Sequence, residues 1–228
     1  MTDKLFSKHL IIYSFLITSM LFNLFGCNQK PKDRAFVVFN EGVALSLEAL
    51  QLDQNGKHED AFDLNKKAIT KFEETLRIDP SHYGSKGALG HSFYLIGEFR
   101  AAINWFEKAH ANNETTAATF RELGLSKINL GQIEAGQKDL EAAFRLDDSQ
   151  NVKDITADDL YDIGKLAFEY SDEYKKQGQV EKGRTYQQFS LAVLEMALDI
   201  SNSRPDIAAT LVEFADKVGE KALADKHR

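Results

Sequence analysis

The 228-residue sequence holds one cysteine, three prolines and one tryptophan, and each scarcity excludes something. A lone thiol, Cys27, rules out an intramolecular disulfide. With so few prolines, long stretches carry nothing that would break a helix, and the many Ala, Leu, Lys and Glu residues favour helix throughout. A basic excess is lacking too. Lys and Arg number 28 against 35 Asp and Glu, a formal charge of −7, which argues against a general nucleic-acid-binding face. The histidines His9, His58, His82, His91, His110 and His227 are scattered, with neither an HExxH motif nor a paired metal-ligand spacing. Ser85-Lys86-Gly87 lacks phosphate-loop spacing, so Gly84, Gly87 and Gly90 read as small packing positions. Asp147-Asp148 and Asp158-Asp159 lack the calcium-loop pattern and read as solvated turn residues and helix caps. The expectation is no enzyme, no cofactor, no metal and no small-molecule substrate.

What the sequence does hold is a repetition. Between residues 83 and 148 it returns on itself at an offset of 34 residues. Leu89-Gly90 comes back as Leu123-Gly124, Gly97 as Gly131, Phe99 as Ile133, Ala102 as Gly136, Phe106 as Leu140 and Ala109 as Ala143. Small falls on small and large apolar on large, the signature of a helix-turn-helix repeat. Leu89 and Phe93 share one helical face, and Gly90 lets a second helix approach closely. Gly97 closes the turn, and Ala102, Phe106 and Ala109 form the apolar stripe of the returning helix. One such hairpin cannot bury both of its faces, so it requires neighbours.

On these residues the stretch resembles the tetratricopeptide repeat family. Lys86, Leu89, Gly90, Phe93, Gly97, Phe99, Ala102, Phe106 and Ala109 occupy the signature positions in order, and Phe120, Leu123, Gly124, Gly131, Ile133, Gly136, Leu140 and Ala143 occupy them in the next unit. The second unit departs at Lys127, where the family carries an apolar or aromatic residue and Ile128 stands alongside. The proline that often closes a unit is present as Pro80 and replaced by Glu114 and Asp148.

The flanks read as longer hairpins. Residues 35–55 form a helix with Phe36, Phe39, Val43, Leu47 and Leu50 at helical spacing, stopped by Asn55-Gly56; His58–Ile78 is its partner, ended by Asp79-Pro80-Ser81. Gly42 and Gly56 are 14 apart where Gly90 and Gly97 are seven apart, and Gly164 and Gly178 repeat the longer spacing. After an acidic linker over 147–154, Thr156 to Asp159 has capping-box spacing, opening a helix with Leu160, Ile163, Ala167 and Phe168. A long helix over 180–200 follows, then a last one with Ile207, Leu211, Phe214 and Val218 inward and a polar outer face that keeps the open end soluble. The expected fold is therefore all-α: an α-solenoid of antiparallel, TPR-like helix pairs over 35–228, with two regular 34-residue repeats between longer hairpins and a C-terminal capping helix.

The amino terminus carries a separate signal. Lys4 and Lys8 precede an apolar run of about 16 residues over 10–25, short for a spanning helix. It ends Leu24-Phe25-Gly26-Cys27, which resembles the lipobox of bacterial lipoprotein signal peptides, apart from the bulky Phe25. The resemblance implies a signal peptide over 1–26, a diacylglyceryl thioether on Cys27 after cleavage, and stable anchoring by two or more acyl chains. Asn28, in place of the Asp of a retention signal, implies transfer to the outer membrane. Residues 28–34 read as a polar tether spanning at most about 25 Å.

The repeat resemblance implies a concave groove lined by first helices. Its positions fall here on Gly84, Gly87, His91, Tyr94 and Leu95, then on Ala118, Arg121, Leu125, Ile128 and Asn129. That groove is expected to be largely apolar, with His91, Tyr94, Arg121 and Asn129 as polar handles for a protein or peptide partner. The implied function is a non-enzymatic, lipid-anchored adaptor facing the periplasm. The alternative is an assembly factor for an outer-membrane barrel or a pilus secretin.

Overall fold

The computed structural model describes residues 30–228; the expected signal peptide over 1–26, Cys27 and the first residues of the expected tether lie outside them. Ten helices occupy the described residues: α1 Pro31–Gln54, α2 His58–Ile78, α3 Ser85–Leu95, α4 Phe99–Ala111, α5 Ala117–Asn129, α6 Ile133–Leu146, α7 Gln150–Lys176, α8 Val180–Ile200, α9 Pro205–Val218 and α10 Lys221–His227. They pair antiparallel as α1/α2, α3/α4, α5/α6 and α7/α8, and α9 with α10 closes the carboxyl end. The fold is all-α and TPR-like, with short central pairs between two long ones.

One contact recurs in every pair. A glycine of the first helix lies directly beneath a large side chain of the second: Gly42 under Phe72, Gly90 under Phe106, Gly124 under Leu140 and Gly164 under Leu194. A methyl group in place of the glycine hydrogen would come within 2.6 Å of Phe72, 2.5 Å of Phe106 and 2.8 Å of Leu194, far inside van der Waals contact. In the α5/α6 pair the backbones themselves touch. A Cβ on Gly124 would meet the Gly136 carbonyl at 2.7 Å, and one on Gly136 would meet the Gly124 carbonyl at 2.6 Å. Around these contacts Leu89, Ala102, Phe106, Ala109, Leu123, Leu140 and Ala143, all read from the repeat pattern, are buried.

The turns between paired helices have a common form. Gly56, Gly97, Gly131 and Gly178 each follow a first helix with positive φ between 73° and 79°, the left-handed conformation that glycine adopts without a steric penalty. Turns between pairs use carboxylates. Asp79 accepts from the Ser81 amide and Asp147 from the Ser149 amide, each at 3.0 Å, and the serine side chains first, with these amides second, hold both carboxyls below the usual carboxylate range. Glu114, standing where a unit-closing proline is common, is buried and accepts from the Gly84 amide at 3.0 Å, with Lys86 Nζ at 3.6 Å. It serves the amino end of α3. The Lys127 departure is accommodated by turning the residue sideways: its Nζ donates to Asp139 of α6 at 2.6 Å, while Ile128 is fully buried against Gly136.

Three boundaries differ from the sequence expectation. Helix α1 starts at Pro31, taking four residues from the tether, since proline is favoured in a first helical turn. Helix α7 starts at Gln150, so Thr156 is not a cap but a buried residue within the helix, its hydroxyl donating to the Val152 carbonyl at 2.6 Å. The polar run over 147–154 that reads as a linker is mostly the solvated first turn of α7. The capping box is at Thr116 and Thr119 instead, where the two threonines bond each other's amides at 3.0 and 3.1 Å. At the carboxyl end, Gly219 with φ 87° breaks the last helix in two. Ile207, Leu211 and Ala215 of α9 and Ala224 of α10 are buried, and Phe214 stacks on Phe168 at 3.9 Å.

Gly124→Ala is expected to lower stability by about 1–3 kcal/mol, the range for forcing a methyl into a packed interior, read as a fall in the urea midpoint. Ala substituted at Gly136 should cost as much, and the double variant less than the sum, because both methyls displace the same backbone contact.

Candidate functional site

The first helices α3, α5 and α7 lie side by side, and the polar residues read from the sequence meet on them. His91 of α3 points its Nδ1 at both carboxylate oxygens of Glu122 on α5, at 2.9 Å each. Arg121, one residue earlier, forms an ion pair with Asp159 of α7 and lies 4.0 Å from Glu122. Tyr94 is half-buried beside this group, its ring 6.0 Å from that of Phe99, and packs against Leu125 and its neighbours. Three successive first helices are thus tied together by one chain of charges.

Burial sets the electrostatics of the chain. Desolvation pulls the His91 pKa down, but the hydrogen bond and the charge of Glu122 together outweigh it, so His91 titrates above its ordinary value. Burial pushes Asp159 up, and Arg121 only partly restores it. Burial also pushes the Tyr94 phenol up, reinforced by the negative charge of Asp159.

The remaining residues expected in the groove are placed differently. Leu125 and Ile128 have no exposed surface; both belong to the main core cluster with Leu140, Leu160 and Leu194. They cannot meet a partner, and this corrects the expected apolar floor. Ile128 packs within its own hairpin against Gly136 of α6, and Leu125 shares a cluster with Leu140 of α6, Leu160 of α7 and Leu194 of α8. Leu95 is 45% exposed at the carboxyl end of α3. Asn129 donates to the Leu125 carbonyl at 2.9 Å, capping its own helix end. Among the described residues no cluster of three or more His, Cys, Asp or Glu side chains is placed to hold a metal ion.

The concavities lie elsewhere, along the seam between the second helices α6 and α8. One, of about 600 Å³, is walled by Leu130, Ile133, Tyr186, Phe189 and Ala192, with Asn129 at its edge. The other, about 460 Å³, continues from Ile133 and Ala192 toward Leu140, Phe144 and Met196 and is rimmed by Glu141, Glu195 and Asp199 against Lys153. Together they make an open crevice with an apolar half and an acidic half. Sequence reasoning missed it because Ile133, Phe144 and Phe189 sit at ordinary core positions of their helices. The gap arises only from setting a long pair against a short one.

No protein-family model matches the chain, and no curated protein matches it. Among solved structures it is similar to MamA, with 18% identity over 78% of this chain and 89% of that one and a TM-score of 0.44. It is also similar to TTC0263, a thermophilic TPR protein of Thermus thermophilus, with 14% identity over 76% and 98% of the two chains and a TM-score of 0.38. A third is YrrB, a TPR protein with an unusual peptide-binding site, with 17% identity over 76% and 90% and a TM-score of 0.39. These likenesses are distant, and the fold assignment stands on the chain's own helix pairs.

In Glu122→Gln the carboxylate is gone and burial, joined by the nearby Arg121 charge, is left unopposed, so the His91 pKa should fall from above to below that of an ordinary histidine, about 6.5, as followed by NMR titration. Because the folded value in the parent is the higher one, the pair stabilises fully below about pH 6.5 and the contribution is lost as pH rises through the folded pKa. The denaturation midpoint of the parent should therefore decline through that window, and that of Glu122→Gln should not.

Proposed function

We propose that the protein is a non-enzymatic helical-repeat scaffold, anchored by lipid on Cys27 and holding a protein partner at the bacterial cell envelope, with the outer membrane facing the periplasm as its place. The anchor and the location are supported by Leu24-Phe25-Gly26-Cys27 after an apolar run and by Asn28. Partner binding is carried by one observation, the crevice between α6 and α8. Its volume admits one or two large apolar side chains, and Glu141 and Asp199 on its rim can meet a basic residue beside them, Glu195 being held by Lys226 of α10 at 2.5 Å. The inner face contributes through the exposed Leu95 and the half-exposed His91, while Arg121, largely covered, chiefly holds the first helices in register.

The binding surface is tested by crosslinking and pull-down from envelopes. Ala192→Trp, which fills the crevice, and the rim variant Glu141→Lys, which puts a cation among the carboxylates of its acidic half, should both reduce capture without changing the helical circular dichroism signal. Unchanged capture with both rejects the crevice. Loss with Tyr94→Ala or Arg121→Ala alone moves the partner to the inner face. For the anchor, mass spectrometry should find two or more acyl chains on a mature amino terminus at Cys27, and Cys27→Ser should release the chain from membranes.

A further inference from the structure

Helix α1 is apolar on two opposite sides. Ala35, Val38, Gly42 and Ala49 face α2 and are buried. On the other side Phe36, Val37, Leu47 and Leu50 are exposed, at 60, 45, 57 and 51% respectively. The helical spacing joins these residues with Ala44 into one stripe in which Asn40 and Gln51 are the polar members. From Phe36 to Gln51 the stripe carries no charge, because Glu41 and Glu48 fall to its flank. A helix apolar all round is normally covered on both sides, and the length and composition of α1 would suffice to cross a membrane. Its packing against α2 excludes a spanning role and leaves a half-covered helix about 36 Å long.

Its position in the chain says what covers it. Pro31 follows Cys27 by four residues, at most about 14 Å even when fully extended. An acylated Cys27 holds the amino end of α1 at the headgroups. Lys30 and Lys32 are exposed there, where anionic lipid attracts them, and Lys32 stands one turn before Phe36 on the line of the stripe. We propose that the outer face of α1 lies in the membrane interface, with Phe36, Leu47 and Leu50 at the acyl boundary, so that the whole array is held flat against the lipid rather than swinging on a tether. The proposal rests on the lipid-anchor reading for its geometry.

Once Cys27 is acylated the chain has no other thiol, so Leu47→Cys and Leu50→Cys give unique spin-label sites, and Lys66→Cys on the exposed side of α2 gives a control. The lipidated proteins are reconstituted in phosphatidylethanolamine–phosphatidylglycerol vesicles, and label collisions with oxygen and with a water-soluble nickel chelate are compared. Lipid contact predicts strong oxygen and weak nickel relaxation at positions 47 and 50, with the reverse at 66. Strong nickel relaxation at all three sites overturns the proposal. Weak relaxation by both reagents at 47 and 50 also overturns it, because that pattern means cover by a second copy. Mass spectrometry of the same samples reads the anchor separately. Acylated Cys27 with water-exposed labels sinks this proposal and leaves the anchor standing; unmodified Cys27 in a chain whose labels still report lipid does the opposite.

Discussion

The array depends on a glycine lying under a large side chain at the centre of each hairpin. The contact draws two helix axes closer than any residue with a Cβ allows, and it fixes which part of the second helix lies over which part of the first. Thirty residues separate Gly42 from Phe72 and Gly164 from Leu194, and sixteen separate Gly90 from Phe106 and Gly124 from Leu140. Between the contact and the turn, each arm of an outer hairpin is therefore about two turns longer than in an inner one. Lengthening both arms by the same amount beyond the lock leaves the packing at the lock undisturbed and changes how far the arms project.

That projection decides what surface is left. Between the two short pairs the first helices stack as equals, and His91 can reach Glu122. Beside α5, however, stands α7, 27 residues long. It brings Asp159 to Arg121 and Leu160 into one cluster with Leu125, and its partner α8 borders a crevice against α6. Where the long pair meets the short one, the inner face is filled and the seam behind it is open.

Much of this was legible in the sequence. The 34-residue offset gave the helix pairs, the doubled glycine spacing gave the long arms, and the repeat pattern gave the core of the central pairs, because these depend on contacts within one hairpin; in α1 the stripe read from the sequence is not the buried face, since Phe36, Leu47 and Leu50 are exposed and Ala35, Val38, Gly42 and Ala49 are buried. What remained hidden depends on contacts between hairpins. Leu125 looks like a groove residue because its counterpart one repeat earlier is His91, which is partly exposed; only the neighbour differs. Thr156 reads as a cap because Ser/Thr followed by an acidic residue at that spacing is a common helix start, but the helix already runs from Gln150, and the Thr156 hydroxyl bonds back to the Val152 carbonyl inside it. Glu114 gave no signal, since its partner Gly84 is an amide 30 residues back.

The two ends of the array are unlike. At the carboxyl end α9 and α10 seal the stack, and the terminal Arg228 is tied to Asp216 at 2.6 Å; at the amino end α1 presents bare hydrocarbon. Among the described residues the two ends therefore differ in kind: one is closed by packing and an ion pair, the other lies open along an uncharged apolar stripe.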